Sequence, residues 1–444
     1  MKTETIWSLI IFLWIRTWAY GETKVKNSNS PTGNSITTQM KNLIAMSAST
    51  FTNDSFYYPQ RGEEFIRRQK IIPNTHPFPC SNSTVFGRSE TRPKSVHKLK
   101  PGDVDVIGAM GDSLIAGNGA LEEFAIGTII EYRGVSWCAG GEGTWRQYLT
   151  LPNILKEFNP KIKGYSKGKG EFLSKNSGMN VAFPVSADAD ALAQAKYLVK
   201  KMKSDRDIDY ENDWKMITVF FGANDLCSSQ CFNKEGTSAI QHRRKLMEAL
   251  DYLHENMPKT FVNLIPVLDV TVSVRQKRSV ICRFLHRLFC TCFHTGSDVD
   301  EYDVISQLVL DYQEAEKQLV QSGRYDTKED FTVVLQPFMT AFNAPKDKSK
   351  RYKPFIDKSY ITYDCFHFSQ KGHALGANML WNNLLEPVGK KSKKQLNHIM
   401  ADFKCPTNDA PYFFTNLNSE IYFKHGTQLY DDNNKNNNNK NISH

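Results

Sequence analysis

Val104-Asp105-Val106-Ile107-Gly108-Ala109-Met110-Gly111-Asp112-Ser113-Leu114-Ile115-Ala116-Gly117-Asn118-Gly119 reads as a buried strand that stops abruptly. Its apolar, β-branched run ends in Gly-Asp-Ser, and a loop rich in glycine and asparagine follows. Open α/β sheets keep their sites at the carboxyl ends of their strands, so this strand delivers the Ser113 hydroxyl to such a place. A serine hydroxyl is a poor nucleophile until a base takes its proton. The rest of the chain must therefore supply a histidine, a carboxylate to orient it and donors for an oxyanion.

Two stretches further along supply them. Phe221-Gly222-Ala223-Asn224-Asp225 closes the apolar run 216–221, where Gly222 permits a tight turn and the Asn224 amide is a candidate oxyanion donor. Asp364-Cys365-Phe366-His367 precedes a helical pattern that starts near Gln370. Asp and His three residues apart on a turn meet on one side, so the carboxylate holds the imidazole in the tautomer that accepts the serine proton.

Strand and helix patterns alternate through the chain. Strands are expected at 179–184, 216–221, 261–268 and 331–338, and helices at 151–157, 189–202, 236–257, 304–321 and 370–385. This alternation predicts an α/β fold with a parallel sheet covered on both faces by helices. Residues 280–289 add the pattern of a basic amphipathic helix, with apolar positions 280, 281, 284, 285, 288 and 289 opposite Arg283, His286 and Arg287. It suits either a membrane surface or, more simply, a cysteine-stapled helix packed on the core.

Residues 1–21 have the pattern of a secretory signal: Lys2, an apolar run 6–15, and Ala19-Tyr20-Gly21. Residues 22–75 read as a poorly ordered leader or pro-region, 76–425 as the folded domain, and 426–444 as a disordered Asn/Lys-rich tail. The formal net charge is +9, and removing Lys2, Glu4 and Arg16 with the signal lowers it by one. A positive surface suits anionic partners such as lipid headgroups, and no nucleic-acid motif accompanies it. Nine cysteines (80, 138, 227, 231, 282, 290, 292, 365 and 405) are expected mostly to pair in an oxidising compartment, leaving at least one over. Cys290-Thr291-Cys292 belongs with the disulfides, because zinc sites space their cysteines differently. Sequons at Asn53, Asn82 and Asn441 fit a secreted glycoprotein.

The chain resembles the Gly-Asp-Ser-Leu lipases and esterases, also called SGNH hydrolases, and within them the phospholipase B branch. The resemblance rests on Ser95–Pro101, Gly111–Leu114, Tyr132–Trp137, Leu151–Leu155, Gly222–Cys227, Phe366–Ala374 and Trp381–Gly389. It implies a three-layer α/β/α flavodoxin-like fold and metal-free hydrolysis of phospholipid and lysophospholipid acyl esters, with no cofactor. It further implies Ser113 as nucleophile, His367 as general base and then acid, and Asp364 as its orienter. Asn224 and the Ser113 N–H are the implied oxyanion donors. Asp225 rivals Asp364, which is preferred because its spacing to His367 is local.

One departure stands out. The family places a glycine after the strand before the long helix, and its N–H is an oxyanion donor. Here Val185 or Ser186 falls at that place, so Ser186 is the expected third donor, with Gly140, Gly141 and Gly143 as a substitute loop. Losing one such donor costs about 100- to 1,000-fold in rate. This departure motivates the alternative of a catalytically weak lipid-binding member; a separate alternative is an esterase of neutral lipids or acetylated sugars. The polar carboxyl end predicts free secretion with only transient membrane contact.

Overall fold

Apolar residues buried on both faces of each strand build the sheet. The strands are β1 (Val106–Gly111), β2 (Lys215–Phe220), β3 (Thr260–Leu264) and β4 (Phe331–Leu335), all parallel and in the order β1-β2-β3-β4. The computed structural model describes residues 67–80, 86–275, 285, 286, 290–293, 298–345 and 357–425. The expected signal, most of the leader, the tail, the three sequons and most of 280–289 lie outside these residues.

Alternate strand residues feed two cores. Ile107, Ala109, Met216, Phe220 and Phe261 pack with Trp137 and Trp381 on one face. Val106, Met110, Ile217, Val219 and Val262 pack with Leu198, Leu246 and Leu250 on the other. The described helices include α1 (Ser113–Ala116), α2 (Leu151–Leu155), α3 (Ala191–Ser204), α4 (Ala239–Asn256), α5 (Val270–Arg275), α6 (Asp298–Gln321), α7 (Gln370–Leu384) and α8 (Asn416–His425); α2, α3, α4, α6 and α7 stand where helices are expected, and α1, α5 and α8 are additional. Of these, α2 and α7 cover the first face, and α3 and α4 the second. The result is a three-layer α/β/α arrangement, as the resemblance implies.

The expected strand at 179–184 is an irregular rail rather than a strand. It still runs beside β1: Ala109 N–H donates to Met179 O (3.0 Å), Val181 N–H to Ala109 O (2.9 Å) and Phe183 N–H to Gly111 O (3.0 Å). Arg133 explains the irregularity. Its fully buried guanidinium donates to Asn180 O, Ala182 O (2.6 Å) and Glu131 Oε2 (2.6 Å), so a side chain, not another strand, satisfies the outer edge. The chain thus leaves β1 toward the rail on one side and returns to β2 on the other. This reversal places the switch point of the sheet at the carboxyl end of β1, beside Ser113.

Residues 67–75 correct the leader expectation at its carboxyl end. Arg67 Nε donates to Ile361 O (2.8 Å), and Gln69 is bound to Gln370, Trp145 and Leu149. Their polar composition hid this packing, because most of the anchoring contacts are hydrogen bonds, with Ile72 the apolar residue that packs against the core. Three disulfides join described cysteines: Cys80–Cys405, Cys227–Cys290 and Cys231–Cys292. Cys365 is disulfide-bonded as well, and Cys138 is a buried free thiol.

Candidate active site

Gly111 lets β1 end in a sharp turn. Its φ is +154°, and a Cβ there would meet Phe220 O at 2.4 Å, so only glycine fits. Asp112 caps α1 by accepting from Leu114 N–H (2.9 Å), which sets Ser113 at the first helical position. So short a helix depends on borrowed partners: Ser136 Oγ and Asn180 Nδ2 donate to Ile115 O, and Trp137 Nε1 donates to Leu114 O. Burial pushes the Asp112 carboxyl up to about 7, only partly offset by Leu114 N–H and His367.

His367 comes from the loop before α7. Its Nε2 lies 2.8 Å from Ser113 Oγ and its Nδ1 2.5 Å from Asp364 Oδ2. Asp364 Oδ1 accepts from Thr362 Oγ1, Phe366 N–H (2.9 Å) and His367 N–H (3.1 Å). Burial alone would raise the Asp364 carboxyl, but His367 and these donors hold it well below the usual carboxylate range. Ser113 is 6% exposed and the His367 side chain 16%, so the site opens to the surface. The structure therefore brings Ser113, His367 and Asp364 into one relay. Asp225 faces elsewhere, accepting from the Asp188 N–H (2.9 Å).

The expected oxyanion donors meet differently. Asn224 Nδ2 donates to Ser186 O (2.8 Å), which uses one of its two amide protons. Ser186 N–H donates to Phe183 O (3.0 Å) and closes a four-residue turn, so it does not serve as the third donor. The Ser186 hydroxyl accepts from Gln194 Nε2 (2.8 Å), and the same amide grips Gly111 through both its oxygen and its nitrogen. Ser113 N–H donates to Pro184 O at 3.2 Å. Gly140 and Gly141 give no substitute loop, because their N–H groups are committed to Ser136 O and Ser166 O.

A family profile described as GDSL-like Lipase/Acylhydrolase matches residues 107–380, which hold the whole relay. The chain belongs to this family. As a GDSL protein it is 40% identical over 347 residues to "Phospholipase B1, membrane-associated" of Rattus norvegicus and 42% identical over 348 residues to that of Homo sapiens. Each match covers 77% of this GDSL chain and 23% of the relative, so the chain spans about a quarter of the length of these curated relatives. Among solved structures, phospholipase A1 of Streptomyces albidoflavus aligns over 63% of this chain and 98% of its own, at 12% identity and a TM-score of 0.29.

No spacing in the sequence points to Arg133, Gln194 or Thr362, although Arg133 and Gln194 fix backbone segments beside the GDSL site and the Thr362 hydroxyl holds the Asp364 carboxylate. Arg133 lies inside the quoted Tyr132–Trp137 block, where a charged residue amid apolar and small neighbours was its only signal. The two cysteines at 290 and 292 bond to Cys227 and Cys231 as a disulfide set.

Proposed function

We propose that this protein is a secreted serine acyl hydrolase that releases fatty acid from phospholipids and lysophospholipids. The observation that carries the reading is the Asp364–His367–Ser113 relay, with 2.5 and 2.8 Å links. Ser113 Oγ attacks the ester carbonyl carbon while its proton passes to His367 Nε2. Asp364 stabilises the imidazolium that forms. His367 then gives the proton to the departing alcohol, which leaves an acyl ester on Ser113. Water, deprotonated by the same nitrogen, releases the fatty acid and restores the serine.

Several observations favour a lipid over an acetyl ester. Phe183 is 43% and Val185 46% exposed on the turn bonded to Ser113 N–H, and the Phe366 ring lies 5.2 Å from that of His367. Apolar side chains thus flank the nucleophile on two sides and suit acyl chains and transient contact with a lipid surface. The relatives' name points the same way. The disulfides support an oxidising, extracellular setting.

The test is hydrolysis of mixed-chain phosphatidylcholine and of lysophosphatidylcholine by the wild type and Ser113→Ala, with released acid followed by mass spectrometry. Release from both lipids by the wild type and from neither by the variant is the expected result. Equal release by both proteins would remove Ser113 from the mechanism, and cleavage of acetyl esters alone would move the substrate to the second class.

A further inference from the structure

We infer that Val185 holds the oxyanion hole shut in the resting protein, and that catalysis requires the Pro184–Val185 peptide to flip. This rests on the serine hydrolase reading above. Phe183–Ser186 is a β-turn, closed by Ser186 N–H to Phe183 O at 3.0 Å. Pro184 occupies the second position, where its ring fixes φ near −65° and suits both common turn types. Val185 occupies the third. Type II turns need a positive φ there, which Val185 does not have, since the described non-glycine residues with positive φ are Lys259, Cys365 and Asp402. The turn is therefore on the type I side.

That choice decides which group meets Ser113. Types I and II differ by about half a turn of the central peptide plane, which exchanges the directions of the Pro184 carbonyl and the Val185 N–H. In the observed form the carbonyl faces Ser113 N–H at 3.2 Å. An oxygen carrying partial negative charge thus occupies the donor that a developing oxyanion needs, and repels it. In the flipped form the carbonyl leaves, Ser113 N–H is released, and Val185 N–H turns to the same side. Two donors then join the second amide proton of Asn224.

The flip is local. Bonds on either side of the central peptide stay in place: Phe183 N–H to Gly111 O, Ser186 N–H to Phe183 O, Gln194 to the Ser186 hydroxyl, and Asn224 to Ser186 O. Val185 is 46% exposed, so its side chain has room to move. The cost lies in placing a β-branched residue at positive φ, where glycine pays almost nothing. Val185 is thus a positioning residue that acts through the backbone, and the chain carries a slow, gated version of the acyl transfer site.

The test compares Val185→Gly, Val185→Asn and Val185→Ala with the wild type and Ser113→Ala. The readouts are steady-state hydrolysis of lysophosphatidylcholine micelles and the rate of labelling by a fluorophosphonate, which also needs the hole. Val185→Gly is expected to raise kcat and the labelling rate about 10- to 100-fold with KM little changed. Asn, which tolerates positive φ, is expected to fall between Gly and the wild type. Ala removes the isopropyl group but keeps most of the backbone penalty, so its gain stays well below that of Gly. Equal gains for Ala and Gly would assign the effect to side-chain bulk and overturn the flip, as would no gain for Gly while Ser113→Ala is inert. Undiminished turnover by Ser113→Ala would instead overturn the hydrolase reading itself.

Discussion

Asp364 is used on all sides: one oxygen orients His367 while the other binds three donors of its own loop, so the same carboxylate builds the turn and the relay. Asp364→Asn keeps the shape but turns an N–H toward His367 Nδ1, which forces the wrong tautomer. A fall in kcat of about 1,000- to 10,000-fold is expected, measured by steady-state hydrolysis on protein whose circular dichroism is unchanged. This pair was legible because three residues of separation on one turn is a local matter. The state of the 184–185 peptide was not. The sequence offers Val185 or Ser186 where a glycine is expected, and turn type follows from a dihedral angle that a residue name constrains without stating.

Among the elements, β1 to β4 were legible because strands buried on both faces read as unbroken apolar runs. The rail beside β1 was not, because Arg133 supplies its outer hydrogen bonds from more than forty positions away. Equally hidden was a polar cluster behind the Asn224 loop. His242 of α4 is fully buried and stacked on Tyr312, with Asp188 on Nδ1 and Glu316 of α6 on Nε2, both at 3.1 Å. Lys245 also bonds Asp188, and Asp225 accepts from its N–H. Positions 188, 242 and 316 are too far apart in sequence for any spacing rule to join them.

This cluster makes stability depend on pH. Burial would lower the His242 pKa, but its bonds to the two carboxylates raise it from 6.5 to about 9. A raised pKa means that the folded state holds the proton more tightly. The contribution is therefore complete below about pH 6.5 and disappears as pH rises through about 9, a loss of roughly 3 kcal/mol. Asp225, pushed up to about 7 by burial and by the charge of Asp188, acts in the same direction. Thermal denaturation from pH 6 to 10 is expected to show the wild-type Tm falling, with a flatter profile for His242→Gln. Parallel profiles would mean that the imidazole does not carry the dependence.

On the scale of the molecule, two disulfides fasten residues 290–293 to the turn after Asn224, and His286 from the same insertion donates to the Asp364 carbonyl at 3.0 Å. The insertion therefore braces both halves of the site. Cys231→Ser combined with Cys292→Ser opens a bridge spanning 61 residues, worth about 4 kcal/mol in chain entropy. A lower Tm and a several-fold drop in turnover are expected together. A lower Tm with unchanged turnover would show that the brace serves stability alone.

The bond between Cys80 and Cys405, 325 positions apart, has a different consequence. It turns the chain from before β1 to beyond α7 into a covalent ring, and Ser113, Asn224, Asp364 and His367 all lie inside it. A single protease cut within the ring leaves one molecule, which migrates whole on a gel until reductant is added. Cuts outside it trim either end without touching the circle that carries the chemistry.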